Sequence, residues 1–111
     1  MANAKQLRYE AERLREQMRS KLNDAERATQ SAEDFSKSGE GAKAKKEDAN
    51  ASRHYREAME LERKAADSDR RAADLESKAA ELDRQEIELR QNMENEINQL
   101  EQRKRDLRGD Y

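Results

Sequence analysis

The chain has 111 residues, of which 45% are charged, 32% are hydrophobic and 4% are aromatic. So few large apolar side chains exclude an ordinary globular core, because a compact domain must bury enough apolar surface to offset chain entropy. An extended helical protein or a disordered one remains. Disordered chains are usually rich in Pro and Gly or in charge of one sign. Here Pro is absent and 24 basic residues nearly balance 26 acidic ones, so we predict an all-α fold built from strong helix formers.

Several kinds of site and partner are excluded by what the sequence lacks. No cysteine is present, which removes disulfides, thiol chemistry and thiolate metal sites. No apolar run approaches the ~20 residues needed to cross a bilayer, and no signal peptide opens the sequence. The net charge of -2 gives no overall attraction to nucleic acid or anionic lipid. We therefore expect a cytoplasmic protein with no membrane partner, no cofactor and no small-molecule substrate.

The first predicted helix covers about residues 3–37. Small and apolar residues recur in it at alternating steps of three and four, which is the spacing of a coiled-coil seam. The helix should end in the segment Ser36–Gly41, where two glycines can supply the positive φ that terminates a helix. We predict a turn at 38–41 made by Ser38, Gly39 and Gly41, with the second helix starting at about residue 41 or 42.

Alanines recur every seventh residue through the first half of the second helix. Six successive heptad positions carry alanine, one carries Glu, and the rest carry large apolar residues. This register comprises Ala44, Ala51, Ala58, Ala65, Ala72, Ala79, Glu86, Met93, Leu100 and Leu107. Leu61, Leu75, Leu82 and Leu89 alternate with it.

The two helices can fold back on each other as an antiparallel hairpin, an alanine-rich coiled coil. Positions whose numbers sum to roughly 79 then lie opposite each other, and most large residues of one helix face small residues of the other. Alanine would allow a close approach, with leucines filling the gap; the alternative is that the alanines only stabilise a solvated single helix. The predicted hairpin seam consists of Leu7, Leu14, Met18, Phe35, Ala44, Ala51, Ala58, Leu61, Ala65 and Ala72.

The second helix is too long for the first to cover. About 35 residues span ~50 Å, whereas about 68 residues span ~100 Å, so coverage should stop near residue 75. We therefore divide the chain into a hairpin (1–75), a coiled-coil extension of the second helix (76–108) and a tail (109–111). The alternative is a break near Asp67–Ser68 that returns the chain as a third helix. In the extension, a second copy, giving a homodimer, or a partner helix should cover Leu82, Ile87, Leu89, Met93, Ile97, Leu100 and Leu107.

We predict no catalytic, cofactor-binding or metal-binding residue. His54 is the single histidine, and Glu57 is the one acidic residue three or four positions away from it. One His with one Glu is a weak metal signal, and His54 is better interpreted as a residue at the edge of the seam. A two-helix rod also offers no pocket in which a carboxylate could be desolvated for acid–base chemistry. The sequence thus favours a non-enzymatic interaction or scaffold protein.

Basic residues near the turn suggest an alternative function. Lys43, Lys45, Lys46, Arg53 and Arg56 could contact phosphate groups, although acidic residues interrupt the cluster.

Residues 7–66 carry a further pattern. The first helix contains "LRYEAERLREQM", Gly39 lies at the turn, and Ala44 follows soon after it. His54 comes fifteen residues beyond the glycine, near Met59 and the Ala65–Ala66 pair. This pattern resembles the small helical domain found N-terminal to Smr (small MutS-related) nuclease domains.

That resemblance implies a free-standing helical hairpin of an accessory kind that works near RNA or ribosomes, and it does not imply cleavage. The match is incomplete, because the aromatic residue before the turn, Phe35, is shifted and Glu62 or Arg63 replaces the family's Asn. No nuclease domain follows in the sequence given, and residues 67–111 continue the heptads instead.

Overall fold

A computed structural model describes residues 2–109 of the chain. It contains two helices, α1 (Ala4–Lys37) and α2 (Gly41–Arg108), and no strand is present among the described residues. The predicted all-α fold, a helical hairpin whose second helix extends beyond the first, is confirmed. In the predicted tail, Gly109 forms a turn, and Asp110 and Tyr111 lie outside the described residues.

The N-terminus of α1 is fixed by a capping box. The side chain of Asn3 accepts a hydrogen bond from the backbone N–H of Gln6 at 2.9 Å. The Gln6 side chain in turn accepts one from the backbone N–H of Asn3 at 3.0 Å. These bonds satisfy backbone donors that the first turn of a helix leaves without partners.

The C-terminus of α1 is a Schellman motif centred on Gly39. This glycine has φ of 77°, a left-handed conformation that costs a residue with a Cβ about 1–2 kcal/mol. Glu40 N–H donates to the carbonyl of Phe35 at 2.8 Å, and Gly39 N–H donates to that of Ser36 at 3.1 Å. This is the hydrogen-bond pair that closes a helix end and reverses the chain.

Gly41 does not share this role. It is the first residue of α2, and Gly39 and Gly109 are the two glycines of the described chain with positive φ. The expectation that both glycines of the turn supply a positive φ is therefore wrong for Gly41. One left-handed residue is sufficient, because the Schellman bonds already redirect the backbone into α2.

The second helix continues through Asp67–Ser68, the alternative start of a third helix. Residues 67–69 are helical, so α2 does not break at Asp67–Ser68. Ser68 is instead 5% exposed and occupies a seam position between Ala65 and Ala72. A serine is small enough to stand where its neighbours in the register are alanines.

The core between α1 and the facing part of α2 consists mostly of alanine from both helices. Leu7 is the one large side chain that is fully buried among the described residues. The larger seam residues Leu14, Met18, Phe35 and Leu61 are half-buried, so they flank the core more than they fill it. Small side chains buried on both helices require closely approaching backbones. The buried alanines are Ala11, Ala25, Ala28 and Ala32 on α1, and Ala44, Ala51, Ala58, Ala65 and Ala72 on α2.

The chain divides into two compact units, residues 1–74 and residues 75–111. The first holds the hairpin and all of the buried side chains. The second holds the remainder of α2.

The two turn glycines provide a matched test of the turn. We expect Gly39→Ala to lower the free energy of unfolding by ~1 kcal/mol, because alanine is strained at positive φ although no atom would clash with its Cβ. Gly41→Ala should leave stability unchanged or raise it by up to ~1 kcal/mol, since helical alanine reduces the entropy of the unfolded chain. Urea denaturation followed by circular dichroism measures both. Equal effects at the two positions would contradict the assignment of the turn to Gly39.

Candidate interaction surface

Ion pairs join the two helices along one side of the seam. Nη1 of Arg15 donates to Oδ2 of Asp69 at 2.6 Å, and its Nε and Nη2 lie 3.4 Å from the carboxylate oxygens of Glu62. These hydrogen bonds raise the pKa of Arg15 above its ordinary value, and the bond with Asp69 has the largest effect. One guanidinium therefore bridges two carboxylates that lie two turns apart on α2, which suits the fork-like arrangement of its donors.

Two further pairs continue this side. Nη1 of Arg8 lies 3.6 Å from Oδ1 of Asp69, and Nζ of Lys21 lies 2.7 Å from Oε2 of Glu57. As the residue number rises along α1, the partner's number falls along α2. The ion pairs therefore follow the antiparallel orientation directly.

The sequence-based predictions do not include these ion pairs, although the positions of the charged residues in the sequence indicate them. The residue numbers of Arg8–Asp69, Arg15–Glu62 and Lys21–Glu57 sum to 77 or 78, close to the register that aligns the seam. Those of Arg15–Asp69 sum to 84, which is one heptad further along α2. The apolar pattern of the seam does not include these charged residues. Opposite charges next to the seam in the same register would have identified Arg15 with Glu62 and Lys21 with Glu57.

The environment of Glu57 favours its ionised form. Its hydrogen bond from Lys21 lowers the pKa of Glu57, partial desolvation opposes this, and the charges of Lys21, His54 and Arg53 add to the lowering. Nδ1 of His54 lies 4.0 Å from Oε2 of Glu57. This Nδ1 is buried and has no hydrogen-bond partner, while the His54 side chain is one-fifth exposed. His54 thus lies at the edge of the seam, beside one carboxylate.

Two open grooves border the hairpin seam. One, of about 870 Å³, is lined by Glu10 and Leu14 of α1 and by residues of α2 that include four basic side chains. Two of these, Arg63 and Arg70, already pair with Glu60 and Asp67 on their own helix. The four basic residues are Arg63, Lys64, Arg70 and Arg71. The second groove, of about 480 Å³, is lined by Lys21, Glu57, Leu61 and their neighbours.

The basic residues near the turn do not form one uniform surface. Lys43 pairs with Glu40 at 3.2 Å and lies 5.6 Å from the centre of the Phe35 ring. Arg53 lies 3.9 Å from Glu57, and Nε of Arg56 donates to the carbonyl of Ser52 at 3.5 Å. Lys45 and Lys46 are exposed. At about 100° per residue, Lys45, Lys46, Arg53 and Arg56 share one side of α2, and Lys43 lies apart from them.

An apolar stripe, interrupted by Glu86 and Lys104, is exposed in residues 75–108. Its large side chains are between 50% and 88% exposed, whereas Leu7 in the hairpin is 2% exposed. At about 100° per residue they lie within a sector of roughly 80° on one side of α2. We call this set the C-terminal stripe. Its members are Leu82, Leu89, Met93, Ile97, Leu100 and Leu107.

Ile87 was expected on the same surface, and helical geometry separates it. It is 55% exposed, but its position lies about 140° around the helix from Leu82. Ile87 therefore belongs to the same helix as the C-terminal stripe and to a different face.

Charged residues around the stripe pair along the helix. Arg84 donates to Glu81, and Arg90 donates to Glu86, at spacings of three and four residues. Such pairs stabilise an exposed helix by about 0.2–0.5 kcal/mol each. They leave the large apolar side chains of the stripe exposed.

Two features are absent from the described residues, a cluster of metal-ligand side chains and a membrane-spanning segment. No group of three or more His, Asp or Glu side chains within 2–109 is arranged to hold a metal ion. Over the same residues, neither helix contains a segment long and apolar enough to cross a lipid bilayer. Comparisons with protein-family models, with curated proteins and with solved structures find no match to this chain.

The shifted titration of Glu57 gives a test of the ion pairs between the helices. A carboxylate whose pKa is lowered by folding stabilises the fold above its unfolded pKa, and this contribution is lost as the pH falls through the lower, folded value. We expect Glu57→Gln to be less stable than the unsubstituted chain near neutral pH, and the difference to shrink as the pH falls below 4.5.

Urea denaturation at a series of pH values measures this difference. Glu94→Gln is the matched control, because Glu94 is exposed and lies in residues 75–108, away from α1's ion pairs. A difference for Glu57→Gln that grows on acidification would contradict the assigned role of Lys21.

Proposed function

We propose that the chain is a non-enzymatic coiled-coil interaction or scaffold protein that acts through helix–helix association. The C-terminal stripe provides the contact, and a second copy of the chain is the partner that we favour. The observation that carries the proposal is the exposure of six large apolar side chains on one side of a highly charged helix. Exposed apolar stripes of this kind are typical of protein–protein contacts.

The spacing of the stripe supports a coiled-coil partner over a globular one. Its members are separated by steps of seven, four, four, three and seven residues, and another helix with the same spacing can match them by knobs-into-holes packing. The mixed charges on the remaining faces would keep the segment hydrated. A lipid surface fits less well, because an interfacial helix usually has a bulkier apolar face and an excess of basic residues.

The non-enzymatic part of the proposal rests on the surroundings of the titratable groups. His54 has a buried Nδ1 without a hydrogen-bond partner, and this atom lies 4.0 Å from a carboxylate oxygen of Glu57. Glu57 is held in its ionised form by Lys21, which suits a structural ion pair better than a general acid. Both grooves are open to solvent along the hairpin, where groups would stay hydrated.

An RNA- or ribosome-associated accessory role is the alternative. It would use Lys43, Lys45, Lys46, Arg53 and Arg56, of which four share a side of α2. This function receives less support, because Glu57 and Glu60 lie on the same side at about 100° per residue and Glu57 lies within 4.0 Å of Arg53. Phosphate contacts weaken steeply as salt rises, whereas apolar helix pairing does not.

Sedimentation equilibrium tests the proposal on the full chain. At tens of micromolar protein we expect a dimer whose dissociation constant is nearly the same in low and moderate salt. Leu89→Gln together with Leu100→Gln should raise that constant by more than ~100-fold, because each dimer loses four buried leucines. Ile87→Gln is the matched control, since it removes an exposed apolar side chain of the same helix away from the stripe.

A monomeric unsubstituted chain would contradict self-association through the stripe. An equal effect of the Ile87 control and the double leucine variant would also contradict it. If a labelled single-stranded RNA instead binds in low salt and is released by Lys45→Gln with Lys46→Gln, the accessory role would replace the proposal.

A further inference from the structure

The C-terminal stripe repeats itself along α2. Residues 18 positions apart lie about five turns apart and therefore point in the same direction. Leu82 and Leu100 form one such pair, and Leu89 and Leu107 form another. Glu86 and Lys104 form a third pair. The same position is therefore acidic in the first 18-residue repeat and basic in the second.

This arrangement makes the stripe complementary to a reversed copy of itself. In an antiparallel pair, facing residues have numbers with a constant sum, and a sum of roughly 189 aligns the apolar positions. Leu82 then faces Leu107, Leu89 faces Leu100, and Met93 faces Ile97. All six members of the C-terminal stripe acquire an apolar partner in this single register.

The same register brings opposite charges together. Glu86 of one copy faces Arg103 of the other at the margin of the seam, with numbers that sum to 189. Asp83 lies near Lys104 at the edge, with numbers that sum to 187. Two-fold symmetry repeats both contacts at the other end, because the same patch serves both copies. All four side chains are exposed in the single chain. Glu86 forms an ion pair with Arg90 of its own helix.

A parallel pair would place like charges in contact. Each seam residue would then face its own counterpart, so that Glu86 meets Glu86 and Arg103 meets Arg103. Like charges facing each other across an interface disfavour that pairing. The charges therefore select the orientation, while the apolar residues of the stripe are compatible with either one.

We propose that two copies of the chain associate as an antiparallel coiled coil over residues 82–107, with Asp83 and Glu86 of each copy against Arg103 and Lys104 of the other. The proposal rests on the proposed function, because it requires the stripe to self-associate. It adds the orientation, the register and the charged residues that determine both. The two-fold axis passes between Glu94 and Asn95.

A charge-exchange series tests the contact between Glu86 and Arg103. Glu86→Arg and Arg103→Glu, each alone, create like-charge contacts at both ends of the dimer. Each should raise the dissociation constant by ~10-fold or more. The double variant Glu86→Arg/Arg103→Glu restores opposite charges and should return the constant to within ~3-fold of the unsubstituted chain. Glu88→Arg/Arg105→Glu makes the same exchange outside the stripe and controls for changes in helix stability.

Spin labels measure the orientation independently of charge. The chain has no cysteine, so Ser77→Cys and Asn98→Cys each accept one nitroxide at an exposed position. In the antiparallel dimer the two labels at residue 77 should lie ~50 Å apart, because 35 residues of helix separate them along the axis. The two labels at residue 98 should lie within ~20 Å of each other.

The outcomes separate the two proposals. A dimer with ~50 Å at residue 77, a short distance at residue 98 and rescue by the double charge variant supports the antiparallel coiled coil. A dimer with short distances at both positions, or a double variant that stays as weak as the single ones, overturns the orientation and leaves self-association standing. A chain that sediments as a monomer overturns the proposed self-association, and the orientation with it.

Discussion

The close packing of alanine against alanine between α1 and α2 is the contact on which the rest of the hairpin depends. Ala25 and Ala65 are completely buried, and alanines recur on both sides of the seam. Side chains this small exclude water only when the two backbones approach closely. That approach also brings Arg15 and Lys21 within reach of carboxylates on α2. A chain that is 45% charged can therefore fold with one almost entirely apolar contact and place its charges on the outside.

Side-chain size changes along one heptad register of α2, beyond the exposed Ala79 and Glu86. Alanine occupies this register at Ala44, Ala51, Ala58, Ala65 and Ala72, all buried. From Met93 onward the same register carries large apolar residues, which are exposed. The two sizes suit different partners, because alanines pack against a helix at short distance whereas leucines and methionines fill a wider gap. One periodic sequence thus provides a contact within the chain and a second surface for a contact outside it.

The sequence predicts the hairpin well, because helix propensity, heptad spacing and the left-handed preference of glycine are local properties. It predicts depth of burial less well. The heptad spacing predicts that leucines such as Leu14 fill the gap opposite the alanines, but Leu14 is half-buried at the edge of that gap. Heptad spacing identifies the residues that face the partner, but burial depends on the distance between the helices, which alanines on both sides set together. An alignment of apolar residues does not reveal the ion pairs of Arg15 and Lys21. A set of the large apolar residues in 76–108 does not separate Ile87 from the C-terminal stripe. Function is the least predictable part, because the spacing of an exposed stripe indicates the geometry that a partner needs and does not identify the partner.

Overpacking the alanine seam tests the central claim most directly. Ala65→Leu places three additional carbon atoms at a position with no exposure, whereas Ala73→Leu places them at an exposed position of the same helix. Both substitutions keep a good helix former. If alanine is required for close approach, Ala65→Leu lowers the free energy of unfolding by ~1–3 kcal/mol and Ala73→Leu changes it little. If Ala65→Leu is as stable as Ala73→Leu, the alanines serve only helix propensity, and the packing account of the hairpin is wrong.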